Sequence, residues 1–121
     1  MIVRNLWDTV SIPENKGKPL YANIKGKEIP LSPQFYIEDA IYYMFPTEDR
    51  TTTASIIALG LERESGDDCW IEANGIDTYN SFPDVELMVC DMHDIEASGV
   101  KSYNVSDIKE INHSIVLVCE E

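Results

Sequence analysis

Apolar and polar positions change rhythm several times along this chain, and each rhythm predicts an element. Ile37, Ala40, Ile41, Met44 and Phe45 recur at i, i+3, i+4, i+7 and i+8, the repeat of one helix face. Ser32 stands at the N-cap position, Pro33 fits the first helical position, and Pro46 cannot continue a helix. The pattern therefore predicts an amphipathic core helix over about 33–45, widened by Phe35, Tyr36, Tyr42 and Tyr43. Ala54 to Leu61 is a short apolar run with β-branched members and predicts a buried strand. Leu20–Ile24 and Glu28–Leu31 flank Lys25-Gly26-Lys27 and predict a hairpin. Residues 2–12 are apolar with mixed spacing, consistent with a strand or a short helix.

Further on, Cys69 to Ala73 predicts a strand, Asn74-Gly75 a turn, and residues 74–83 a loop ending in Phe82-Pro83. Asp84 to Met92 alternates through Val85, Leu87 and Val89, a further strand. Ser106 is placed to cap one short helical turn over 107–111. His113 to Cys119 is a continuous apolar strand of the kind found at the centre of a sheet. The expected fold is α+β: one N-capped helix packed on a mainly antiparallel sheet of roughly five strands. At 121 residues, and with no visible repeat or linker, residues 1–121 are expected to form a single domain.

Charge changes this picture more than composition does. The formal net charge is −13, and residues 51–121 hold fifteen acids against three bases. From Glu64 to Val100 there is no Lys or Arg, but ten carboxylates: Glu64, Asp67, Asp68, Glu72, Asp77, Asp84, Glu86, Asp91, Asp94 and Glu96. Apolar residues threaded among them argue for a folded acidic face rather than a disordered tail. Phosphate binding needs clustered Lys and Arg, so nucleic acid is not the expected direct partner. A basic protein surface is the natural complement, with Trp70, Tyr79 and Phe82 as aromatic anchors beside the acids. The Lys cluster of Lys16, Lys18, Lys25 and Lys27 reads as protection of an exposed edge. Polar residues follow Met1-Ile2-Val3-Arg4 too soon for a signal peptide, and no apolar run reaches membrane-spanning length. The expected location is the cytoplasm.

Candidate chemistry is sparse. Cys90-Asp91-Met92-His93 has the spacing of half a zinc site, which Cys69 and Cys119 could complete from other strands. The competing interpretation is that the three cysteines are small buried hydrophobes and that no cofactor is required. Asp91, Asp94 and Glu96 miss the alternation of a calcium loop. There is no Gly-rich phosphate loop and no nucleophile elbow, so catalysis is not expected.

In size, acidity and the run of ten acids between Glu64 and Glu96, the chain resembles the small inhibitors that phages and mobile elements encode, the anti-CRISPR and antirestriction proteins. It is also similar in these respects to immunity proteins that neutralise nuclease toxins. The resemblance implies a non-enzymatic inhibitor that occupies a basic nucleic-acid groove. The alternative from another class is a structural or assembly protein whose acidity serves solubility, and the third is a metal-dependent enzyme.

Overall fold

The computed structural model describes residues 1–48, 52–65, 69–73, 76–80, 84–93, 96 and 98–120. Helix α1 (Val3–Val10) buries Val3, Leu6 and Val10, spaced i, i+3 and i+7. Its first N–H is satisfied from outside, Val3 N donating to the Val85 carbonyl at 2.9 Å. A single 3₁₀ turn at Pro13–Asn15 follows. The buried Asn15 amide donates to the Thr9 carbonyl at 2.9 Å and to the Glu110 carboxylate. Three strands come next: β1 (Leu20–Ile24), β2 (Lys27–Glu38) and β3 (Ile41–Pro46). The β1–β2 turn is the expected one: Lys25 and Gly26 have φ of 54° and 82°, and the Asn23 side chain accepts the Gly26 N–H at 3.0 Å.

Helix α2 (Ala54–Ser65) opens the second half. A two-stranded sheet of β4 (Cys69–Ala73) and β5 (Ile76–Asn80) follows, with β4 lying beside β2. Three more strands complete the chain: β6 (Glu86–Cys90), β7 (Ser102–Ile111) and β8 (Ser114–Glu120). Strands β1-β2-β3-β6-β7-β8 close into a six-stranded barrel. Pairing is antiparallel within each consecutive trio and parallel at the two seams, β3–β6 and β1–β8. Closure leaves no open edge on these strands.

The expected architecture is thus overturned in three places. No helix spans 33–45; β2 and β3 form a hairpin there, turning at Asp39 and Ala40 with φ of 53° and 61°. A two-residue turn joins two alternating runs, so Phe35 and Ile37, then Tyr42 and Met44, all point to the core. Those two period-2 runs together mimic a helical spacing. The Ser32-Pro33 pair caps nothing; it lies in the register shift between Leu31 and Phe35, where β2 leaves β1 for β3. Conversely, the expected strand over 54–61 is α2, whose Ala54, Ile57 and Leu61 repeat at i, i+3 and i+7. Finally, the sheet is a closed mixed barrel of six strands, not an open antiparallel sheet of five. The loop expected over 74–83 contains β5, and the helical turn expected over 107–111 is the end of β7.

The two halves share one plan, which no sequence repeat betrays. Val3, Leu6 and Val10 of α1 match Ala54, Ile57 and Leu61 of α2. The bridge from Ile2 to Glu86 matches that from Thr53 to Pro19. Leu87 N donates to the Met1 carbonyl at 2.8 Å, and Leu20 N donates to the Thr52 carbonyl at 2.9 Å. Each helix is thereby stitched to the first strand of the other half. The long strands β2 and β7 each carry a register shift, and each leads into a two-residue turn, at 39–40 and 112–113, with positive φ at Asp39 and Asn112. Inside the barrel, Leu20, Leu31, Met44, Leu87, Ile115 and Leu117 are fully buried in one core with both helices. Side chains fill the interior, as expected for so few strands.

Candidate functional site: an aromatic and acidic outer face

Because the interior is packed, chemistry available to a partner lies on the outer wall. Residues of β2, β3 and β6 that point away from the core fall into register rows. Tyr36 stands opposite Tyr43, and Tyr43 beside Met88. The next row toward the turn is Glu38, Ile41 and Glu86. Asp39 occupies the turn and Asp84 precedes β6, so four carboxylates border one end of this face. Tyr36 is 42% exposed, while Tyr43 and Met88 are half-buried. Burial raises the Tyr43 phenol above its ordinary value, and nearby Cys90, Glu38, Asp39 and Tyr36 add to the effect.

Glu86 and Asp84 each have a cationic partner. The Met1 amino group contacts Glu86 Oε1 at 2.8 Å, and Arg4 Nη2 contacts Asp84 Oδ1 at 2.8 Å. The exposed Arg4–Asp84 pair holds the guanidinium more firmly protonated, chiefly through the hydrogen bond to Asp84. The other acids singled out in the sequence are dispersed along the fold. Asp91, just beyond the opposite end of β6, accepts the Lys101 N–H at 2.8 Å through Oδ1, and Glu96 is exposed further along that connection. Glu64 lies on α2, Glu72 on β4 and Asp77 on β5, where Glu72 stands opposite Asp77 and Trp70 opposite Tyr79. Asp67, Asp68, Phe82 and Asp94 lie outside the described residues.

The structure does not bring together the two described cysteines considered for zinc. Cys119 points into the core from β8, whereas Cys90 shares the outward positions of Glu86 and Met88 on β6 and is buried outside the core cluster. Strand β7 separates them. His93 is exposed, and Cys69 starts β4. Burial pushes both thiols up to about 11, with Asp91 adding to the effect at Cys90, so neither is a thiolate at neutral pH. Among the described residues no three His, Cys, Asp or Glu side chains are grouped to hold a metal ion.

A second surface feature is a cleft of about 480 Å³ whose lining includes Val10, Ile12, Pro13, Ala58 and Leu59 together with Lys16 and Glu62. Leu59 is 59% exposed. Among the described residues no helix is long and apolar enough to cross a membrane. No family model, no curated protein and no solved structure matches this chain.

Sequence reasoning missed Tyr36, Glu38, Asp39 and Tyr43 as surface groups because it placed them on a core helix. The signal that marks them is composition. Phe35 to Phe45 is dense in aromatic and β-branched residues, which favour strands, and Asp39 is a residue that tolerates a turn with positive φ.

Proposed function

We propose that this protein is a non-enzymatic inhibitor that docks on a basic, nucleic-acid-binding surface of a DNA- or RNA-processing enzyme. A CRISPR effector, a restriction enzyme or a nuclease toxin is the class of target that carries such a surface. The observation behind this reading is the uncompensated charge: fifteen acids against three bases over residues 51–121. A packed barrel offers its outer wall for contact, and on that wall Glu38 lies one pleat beyond the Tyr36–Tyr43 pair, with Asp39 next to it in the turn. An anionic surface of this kind steers a cationic partner and competes with phosphates for it. The binding is expected to be fast at low salt and to weaken as salt rises.

The test is a pull-down from the native host followed by salt titration of the retained protein. Asp91→Asn, Glu96→Gln, Glu38→Gln and Asp39→Asn combined should abolish retention while leaving the melting temperature in place. Retention that ignores both salt and these substitutions would refute the reading.

A second reading, a structural or assembly protein, is favoured by α2. At the positions where α1 exposes Asn5 and Asp8, α2 exposes Ile56 and Leu59. Under that reading Leu59→Ser disrupts the assembly and neutralising the acids leaves it intact.

A further inference from the structure

We propose that the outer face of β2, β3 and β6 is a receptor for an arginine side chain, with Tyr36 and Tyr43 as the stacking platform and Glu38 and Asp39 as acceptors for the guanidinium. This rests on the reading that the partner is basic, and it adds where one cation sits and which kind of cation it is.

The geometry comes from the register. Tyr36, Tyr43 and Met88 lie side by side on three adjacent strands, a row about 10 Å wide at ordinary strand spacing. Glu38 lies one pleat away, about 7 Å along β2, and Asp39 follows it into the turn. A cation over the rings is therefore within reach of both carboxylates. Tyr43 ionises less readily than a free phenol, chiefly through burial and then through Cys90, with Glu38 and Asp39 contributing after it. An apolar partner would strip water from Glu38 and Asp39 without replacing its hydrogen bonds, and an anion would be repelled. A planar guanidinium meets both demands: it stacks on an aromatic ring and forks its N–H groups toward carboxylates. An ammonium supplies charge without the plane.

The fold itself supplies a comparison. The equivalent row on the other half of the barrel is Lys109, Val116 and Tyr21, followed by Ile111 and Ser114 where the first half has Glu38 and Ile41. The same backbone arrangement thus stands without an aromatic pair, and the acid on its outward side, Asp107, lies one pleat from Lys109 on the side away from the turn. Closing the barrel does not call for Tyr36, Tyr43 and Glu38. The order recurs in the β4–β5 hairpin, where Trp70 opposes Tyr79 and, nearer the turn, Glu72 opposes Asp77.

The experiment titrates an oligoarginine peptide and a length-matched oligolysine peptide into the isotope-labelled full chain at low salt. Backbone amide shifts and affinities are read by NMR. Arginine is expected to bind more tightly, with shifts centred on Tyr36, Glu38, Tyr43 and Met88. Tyr36→Ala should weaken it roughly 2- to 30-fold, the range a cation over an aromatic ring supplies from exposed to desolvated sites. Tyr36→Phe, which keeps the ring, should stay within about 3-fold of the native chain. Tyr36 is 42% exposed, so both variants should fold. Equal affinity for the two peptides, with Tyr36→Ala unchanged, overturns the arginine receptor and leaves the basic-partner reading standing. Failure of both peptides to bind overturns both.

Discussion

Replacing Ala40 by glycine tests the hairpin where the sequence pattern argued for a helix. Ala40 sits in the β2–β3 turn with φ of 61°, a region that costs an L-residue about 1–2 kcal/mol. Glycine removes that strain. Against it stand the greater freedom of glycine in the unfolded chain, about 0.4–1 kcal/mol, and part of a half-buried methyl, about 0.4 kcal/mol. The net expectation is neutral to about 1 kcal/mol stabilising. Ala58 is the matched control: it is also a half-buried alanine packed against the core, but it lies in α2. There the same change loses a comparable methyl and about 1 kcal/mol of helix propensity, for a total of about 1–1.5 kcal/mol. The two variants should thus differ by about 1–2.5 kcal/mol, or several degrees in melting temperature for a chain of this size. Urea denaturation measures this directly as a change in midpoint at constant slope. Equal losses at both positions would refute the argument, because a helix over 33–45 predicts that outcome.

Three further outcomes follow from the same structure. Leu87 is fully buried and flanked by Tyr42 on β3, so Leu87→Ala should cost about 3–5 kcal/mol, seen as a lower urea midpoint. Gly60 lies inside α2 with open space where a Cβ would stand, so Gly60→Ala should raise stability by about 0.5–1 kcal/mol. Cys90 and Cys119 favour their protonated form in the folded state, each pushed from 9.0 up to about 11 by burial. Their contribution is therefore complete below pH 9 and is lost as pH rises toward about 11. Each thiol accounts for at most about 3 kcal/mol, less where water reaches the sulfur. A Cys90→Ala, Cys119→Ala chain should show a shallower alkaline decline in its urea midpoints, and an unchanged decline would disprove the attribution.

Some of this protein follows from local chemistry and was legible in the chain. Lys25-Gly26 between two apolar runs specifies a tight hairpin because glycine takes a positive φ without strain. The strand at Cys69–Ala73 and the apolar strand at the C-terminal end follow from composition in the same way. The charge imbalance is pure sequence. It bears on the choice of partner before any coordinate is known, since electrostatic attraction reaches beyond contact distance.

Tertiary structure decided the rest, for two physical reasons. Local periodicity is degenerate: Ile37 and Met44 fit a helical repeat and also two short alternations, Phe35–Ile37 and Tyr42–Met44, around a two-residue turn. Ala54–Leu61 is apolar enough for a strand, yet its i, i+3, i+7 positions are the ones that reach the core. Only packing against α1 and the barrel breaks those ties. The second reason is that pairing is non-local. The seams β3–β6 and β1–β8 join residues far apart in sequence, and no short window encodes them. Those seams close the barrel, turn Tyr36, Tyr43 and Met88 into one outward row, and bring Glu86 level with Glu38. The residue types were set by the chain, and their meeting on one face was set by closure of the barrel.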